Sequence, residues 1–115
     1  MFKALFQSHK STVKQMAPAE LQGLIKAKDP VVTLDVRSPE EYAREGHIAG
    51  ARLMPLPVVA ARSNELPRDV PIVCVCRSGS RSQVACESLR QQGFTNVSNM
   101  SGGMLAWRRA GFPVK

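Results

Sequence analysis

Residues 70–93, VPIVCVCRSGSRSQVACESLRQQG, constrain the fold more than any other stretch of this 115-residue chain. An apolar run over 72–75 ends at Cys76, a polar loop of Ser, Gly and Arg follows, and helical spacing starts near Ser80 or Arg81. The order predicts strand, loop, helix. A cysteine at the carboxyl end of a buried strand, facing a helix amino terminus, meets unpaired backbone N–H groups and the positive end of the helix dipole. Both favour the thiolate. Gly79 permits the positive φ that turns loop amides inward, Ser78, Ser80 and Ser82 offer hydroxyls, and Arg77 and Arg81 add fixed positive charge. Cys76 is the candidate nucleophile, and residues 77–82 are its anion cradle.

Charge is arranged to suit that cradle. The formal net charge is +7, and residues 71–115 carry six basic side chains against one acidic. The excess around the loop would draw small anions toward it. Nucleic acid is disfavoured as a partner, because no binding motif occurs and aromatics are 5% of the residues, too few for a base-stacking platform. Three cysteines do not make a disulfide framework. Cys74 and Cys76 share a strand face in poor geometry for bonding, and Cys86 falls on the next helix, which suits a reducing, cytoplasmic setting and one reactive thiol. Neither the cysteine spacing nor the isolated His9 and His47 suits a metal site. No apolar run reaches the roughly 20 residues that span a bilayer, so no membrane span is expected.

Length and a 43% hydrophobic composition fit one domain with a real core. We read residues 1–17 as an amino-terminal segment, with Phe2, Leu5, Phe6, His9, Val13 and Met16 at the spacing of a short amphipathic helix. Residues 18–115 form the domain. A helix is expected over 18–28, then a strand over 31–36 covered on both faces. Ser38-Pro39-Glu40-Glu41 reads as a capping box that starts another helix, which makes Ser38 and Glu41 structural. Asp35 and Arg37, at the strand end, either brace the cysteine loop or make a local ion pair with the next helix. His47 is a turn residue rather than a general base. A strand at 51–54, a helix over 56–62, the central strand at 71–76 and a strand at 96–100 follow. Gly102-Gly103 would let a last helix, 104–110, approach the cysteine loop, with Trp107 and Cys86 as core residues. Strands interleaved with helices give an α/β fold, a mainly parallel sheet flanked by helices on both faces.

CRSGSR, residues 76–81, resembles the C-x4-R active-site loop of rhodanese domains. LDVRSPEEYAREGHIAGA (34–51) resembles that family's amino-terminal signature, and MSGGMLAWRRAGFPV (100–114) its carboxyl-terminal one. The three blocks stand in the family's order. Ala49 replaces the proline often found there, which affects turn stiffness rather than chemistry. The resemblance implies a sulfurtransferase in which Cys76 takes sulfur from thiosulfate or a similar small anionic donor, carries it as a persulfide, and passes it to a thiol, cyanide or a protein acceptor. It implies no cofactor, with Arg77 and Arg81 holding the donor's sulfonate. Related phosphatases and arsenate reductases use a loop one residue longer, and a non-catalytic binding module would have less reason to keep cysteine, glycine and arginine together.

Overall fold

The computed structural model describes residues 13–115. Five parallel strands form one sheet: β1 (Lys14–Met16), β2 (Val32–Asp35), β3 (Arg52–Leu53), β4 (Ile72–Val75) and β5 (Val97–Met100), in the spatial order β1-β5-β4-β2-β3. The helices are α1 (Pro18–Lys26), α2 (Pro39–Arg44), α3 (Val59–Arg62), α4 (Ser80–Gln91) and α5 (Gly103–Arg109). Short 3-10 turns, Leu56–Val58 and Ser63–Glu65, flank α3.

β4 lies at the centre, and all four of its residues are buried. Side chains alternate across it. Ile72, Cys74 and Cys76 join Leu34 and Val97 on one face, packing against Val59 of α3 and Ala85, Cys86 and Leu89 of α4. Val73 and Val75 join Met16 and Met100 on the other, against Leu21 of α1, Tyr42 of α2, and Met104 and Trp107 of α5. A fully covered parallel strand must read apolar on both faces, and IVCV does. Both expected covered faces are therefore present.

The chain runs from β2 outward to β3, then returns to β4 and moves the other way to β5. This reversal places a switch point between β2 and β4, where parallel sheets open a crevice at the carboxyl ends of their strands. Asp35, Arg37 and Cys76 all lie at that end. A pocket of about 430 Å³ also opens there, lined by Val36, Arg37, Ser38, Pro39, Pro55, Leu56, Pro57 and Arg81.

One expectation is corrected. Most of the proposed amphipathic helix lies outside the described residues, but its last three positions, Lys14–Met16, are the edge strand β1, paired with Ser98, Asn99 and Met100 of β5. Pairing with β5 overrides the local apolar spacing, and only Met16 of the three is buried. The capping box is present as expected: Glu41 N donates to Ser38 Oγ at 3.2 Å, and Ser38 N donates to Glu41 Oε1 at 3.1 Å. His47 is held in its turn, stacked on Tyr42 at 3.6 Å with Nδ1 3.0 Å from the Tyr42 carbonyl.

Candidate active site

β4 ends where the loop begins, so the sheet fixes the position of Cys76. Its side chain is buried. Gly79 N donates to Sγ at 3.0 Å, and the Ser82 hydroxyl lies 3.2 Å from Sγ. Gly79, with φ of 105°, is the N-cap of α4. That left-handed conformation costs a side-chain-bearing residue energy and costs glycine little, which is why the loop can curl around the sulfur.

Burial of Cys76 pushes its thiol pKa up, but hydrogen bonds from the Ser82 hydroxyl and from the amides of Ser82, Gly79 and Ser78 outweigh it, and the net direction is down. Cys74, on the same strand and in the same apolar cluster, goes the other way. Its contact with the Cys86 thiol and its burial both raise its pKa. Cys86 donates to the Ser98 carbonyl at 3.2 Å and packs as a core residue. All three cysteines are free thiols, and the loop distinguishes one from the other two.

The back of the loop is closed by α5. Met104 N donates to the Cys76 carbonyl at 2.8 Å and Leu105 N to the Arg77 carbonyl at 3.1 Å, so the helix amino terminus and the loop satisfy each other's backbone groups. A Cβ on Gly103 would stand 2.5 Å from those carbonyl oxygens. The close approach expected of the paired glycines is realised here.

The arginines divide. Arg77 is exposed, with a long 4.0 Å contact to Glu45 among the described residues. Arg81, expected beside it as a donor ligand, makes a two-pronged pair with Glu41, Nη1 to Oε1 at 2.7 Å and Nη2 to Oε2 at 2.8 Å. That bond, together with the contacts from Ser38, holds the Glu41 carboxyl down at about 2. Glu41 thus does more than cap α2; it ties α2 to the first turn of α4. Asp35 and Arg37 form a buried pair at 2.7 Å, and Arg37 also donates to the Gly46 carbonyl at 2.9 Å. They pair with each other rather than with the next helix, and their hydrogen bonds fix the β2 end and the 46–47 turn. Ser78 and Ser80 lie at the loop tip with their hydroxyls 3.4 Å apart.

Asn99 of β5 was not among the expected site residues. It accepts from Ser82 Oγ at 2.5 Å, and its Nδ2 donates to the Gly79 carbonyl at 3.0 Å. Gln15 and Gln83 extend this polar network, each presenting Oε1 3.2 Å from Asn99 Nδ2. The sequence signal was a pair of polar residues, Ser98 and Asn99, in a short strand.

A family model described as a rhodanese-like domain matches residues 17–110. The chain belongs to the rhodanese-like domain family. Among its relatives, a sulfurtransferase of Allochromatium vinosum is 37% identical over 102 residues, 89% of this chain and 94% of that one. A thiosulfate sulfurtransferase, GlpE, of Pseudomonas putida is 36% identical over 105 residues, 91% and 93% of the two chains. A rhodanese-related protein from Thermoplasma volcanium superposes with a TM-score of 0.80 at 33% identity, over 89% of this chain and 97% of that one. A Rhodopseudomonas palustris protein described as a possible tyrosine phosphatase superposes with a TM-score of 0.84 at 26% identity, over 100% and 94%. The domain matches these relatives over nearly their whole length, while it spans about half the length of some others. Among its described residues no helix is long and apolar enough to cross a membrane.

Proposed function

We infer that this rhodanese-like domain is a sulfurtransferase that moves sulfane sulfur from thiosulfate, or a similar anionic donor, through a persulfide on Cys76. The observation that carries the reading is the convergence of amide and hydroxyl donors on the sulfur of a strand-end cysteine. In the first half-reaction the Cys76 thiolate attacks the outer sulfur of thiosulfate, the S–S bond of the donor breaks, and sulfite leaves with the bonding pair. Cys76 then bears a persulfide anion. In the second, an acceptor thiol or cyanide takes the outer sulfur, giving an organic persulfide or thiocyanate, and Cys76 returns as thiolate. Amides of Ser78, Gly79 and Ser82 stabilise the negative sulfur in both directions. Arg77, exposed at the loop, binds the sulfonate, while Arg81 contributes charge from its place beside Glu41. Three free thiols suit a reducing, cytoplasmic setting. A protein acceptor fits the same chemistry.

Likeness to a possible tyrosine phosphatase supplies a second reading, hydrolysis of a phosphoester through the same thiolate. The loop has six residues, 76–81, and the Gly79 amide bonds Sγ directly, which suits one sulfur atom better than a phosphoryl group. One experiment separates the two. Reduced protein incubated with thiosulfate should gain one sulfur atom, mapped to Cys76 by peptide mass and removed by cyanide, with no aryl phosphate hydrolysis. Cys76→Ser should take up none. Sulfur on Cys74 or Cys86 alone, or efficient phosphatase turnover, sinks the assignment.

A further inference from the structure

Ser82 has one hydroxyl proton and two acceptors. Its Oγ lies 2.5 Å from Asn99 Oδ1 and 3.2 Å from Cys76 Sγ. A single O–H serves one of them at a time. While Cys76 is a thiol, its S–H donates to Ser82 Oγ and the hydroxyl proton goes to Asn99. Once Cys76 is a thiolate the sulfur has no proton to give, and Ser82 must turn its own proton from Asn99 to Sγ. The Asn99 amide cannot simply rotate by half a turn to accommodate this. Nδ2 faces the Gly79 carbonyl at 3.0 Å and the Oε1 atoms of Gln15 and Gln83 at 3.2 Å, so a turned amide would set Oδ1 against oxygens.

We propose that Asn99 is a positioning residue that holds the Ser82 hydroxyl proton away from the Cys76 sulfur until that sulfur carries negative charge. The consequence rests on the sulfurtransferase reading: Sγ is negative before it attacks the donor and again as it leaves the persulfide, and in between it is a weak acceptor. The hydroxyl would therefore bind sulfur selectively at the points where charge develops, and Asn99 would satisfy it in the interval. Asn99 competes with the thiolate for the proton, so the enzyme without it should ionise more readily. Its other contact does not reverse that sign, because the Gly79 carbonyl also accepts from Gln83 N at 3.2 Å within the backbone of α4.

Other groups around Cys76 remain in place when Asn99 is changed. Arg77 extends from the loop toward Glu45 and Arg81 acts from the first turn of α4, Glu41 acts from α2 through Arg81, the Asp35–Arg37 pair lies at the end of β2, and Cys74 and Cys86 lie in the same cluster. β5 itself and the first turn of α5 bring no charged side chain.

The test is the pH dependence of iodoacetamide alkylation at Cys76 in the full chain, with Cys74 and Cys86 monitored by peptide mass. Asn99→Leu, similar in volume and without an acceptor, should raise the alkylation rate about five-fold at pH values below the thiol pKa, the effect of removing one competing neutral hydrogen bond from the Ser82 hydroxyl. In a Ser82→Ala background the same change should alter the rate less than about two-fold, since no hydroxyl remains to release. Asn99→Asp keeps Oδ1 and should give no acceleration. Asn99→Ala is the substitute if the leucine variant melts early, with the same expected direction. An unchanged or slower rate in Asn99→Leu, or equal acceleration with and without the Ser82 hydroxyl, overturns the proposal. Alkylation reads the thiolate directly. Wild-type protein that takes no sulfur from thiosulfate would overturn the functional reading and leave this one standing.

Discussion

Arg37 and Arg81 each grip a carboxylate with two nitrogens, yet Arg37 and its partner Asp35 are 0% and 1% exposed, whereas Arg81 and Glu41 are 39% and 20% exposed. Both pairs border the same pocket through their arginines. The first joins residues two positions apart at the end of β2 and leaves one buried nitrogen, Nη1, without a hydrogen-bond partner among the described residues. The second joins residues 40 positions apart, from α2 to α4, and stands directly beside the cysteine loop. A sealed pair cannot change partners without exposing a buried charge, so it acts as a frame. A half-open pair can trade its carboxylate for a substrate anion at modest cost, so its arginine can serve both the fold and the chemistry.

The largest effect should follow from breaking the frame. Arg37→Met strands the Asp35 carboxylate in the interior, and removing one partner of a buried pair costs about 3–5 kcal/mol. Denaturant unfolding measures it. The double change Asp35→Leu with Arg37→Met should recover much of that loss, because the penalty comes from the uncompensated charge. A single mutant within about 1 kcal/mol of wild type would show that water already reaches the pair and that the contrast drawn above is not one of burial.

Arg81→Ala should invert the pattern, with a small stability cost and a large functional one. A partly exposed pair is worth about 1 kcal/mol or less. Loss of the guanidinium also leaves the Glu41 carboxylate beside the loop without its counter-charge, which disfavours both the Cys76 thiolate and an anionic donor. Sulfur loading from thiosulfate should fall about ten-fold or more, with a smaller fall for an uncharged persulfide donor. Equal losses with both donors would reassign Arg81 to a purely structural role.

These pairs also mark how far the sequence could be read. Cys76, Gly79 and the loop serines lie within seven consecutive residues, so the candidate site could be read from local order alone. The capping box spans four residues and was equally readable. Arg81 was legible as a charge, but its commitment to Glu41 depends on where α2 is set down beside α4, which no local pattern encodes. Asn99, Gln15 and Gln83 come from β5, β1 and α4 and meet through the parallel pairing of Gln15 with Asn99 and the packing of α4 on β5. β1 was missed for the same reason, because Lys14-Gln15-Met16 has no strand pattern of its own and is ordered by its neighbour. The sheet's centre, by contrast, announces itself, since a strand buried on both faces has to be apolar throughout.

Acid should open the Arg81–Glu41 pair. Glu41 has its pKa lowered from 4.5 to about 2 by Arg81 and Ser38. A carboxylate with a depressed folded-state pKa contributes stability that is complete above its unfolded value and lost as pH falls through the folded one. The contribution of Glu41 should therefore hold down to about pH 4.5 and disappear by about pH 2, amounting to no more than about 1 kcal/mol once solvent screening of a partly exposed pair is allowed for. Thermal melts of wild type and Glu41→Gln should differ near neutral pH and converge across that window. Curves that stay parallel down to pH 2 would mean the difference comes from the helix cap rather than the charge.

The smallest expected effect is also the most informative about substrate binding. Glu41→Gln retains an oxygen that can accept from Ser38 N, so α2 keeps most of its cap, but it removes the negative charge that occupies both terminal nitrogens of Arg81. The freed guanidinium would then be available to a sulfonate at the loop, and a carboxylate that repels an incoming anion would be gone. The KM for thiosulfate should fall about two- to three-fold at low ionic strength, with kcat nearly unchanged, and the gain should shrink as salt rises, because screening weakens the interaction of exposed charges. If KM instead rises, Glu41 is needed to hold Arg81 in its productive position. The half-open pair would then be a second frame, and the sulfonate-binding role would fall to Arg77 alone.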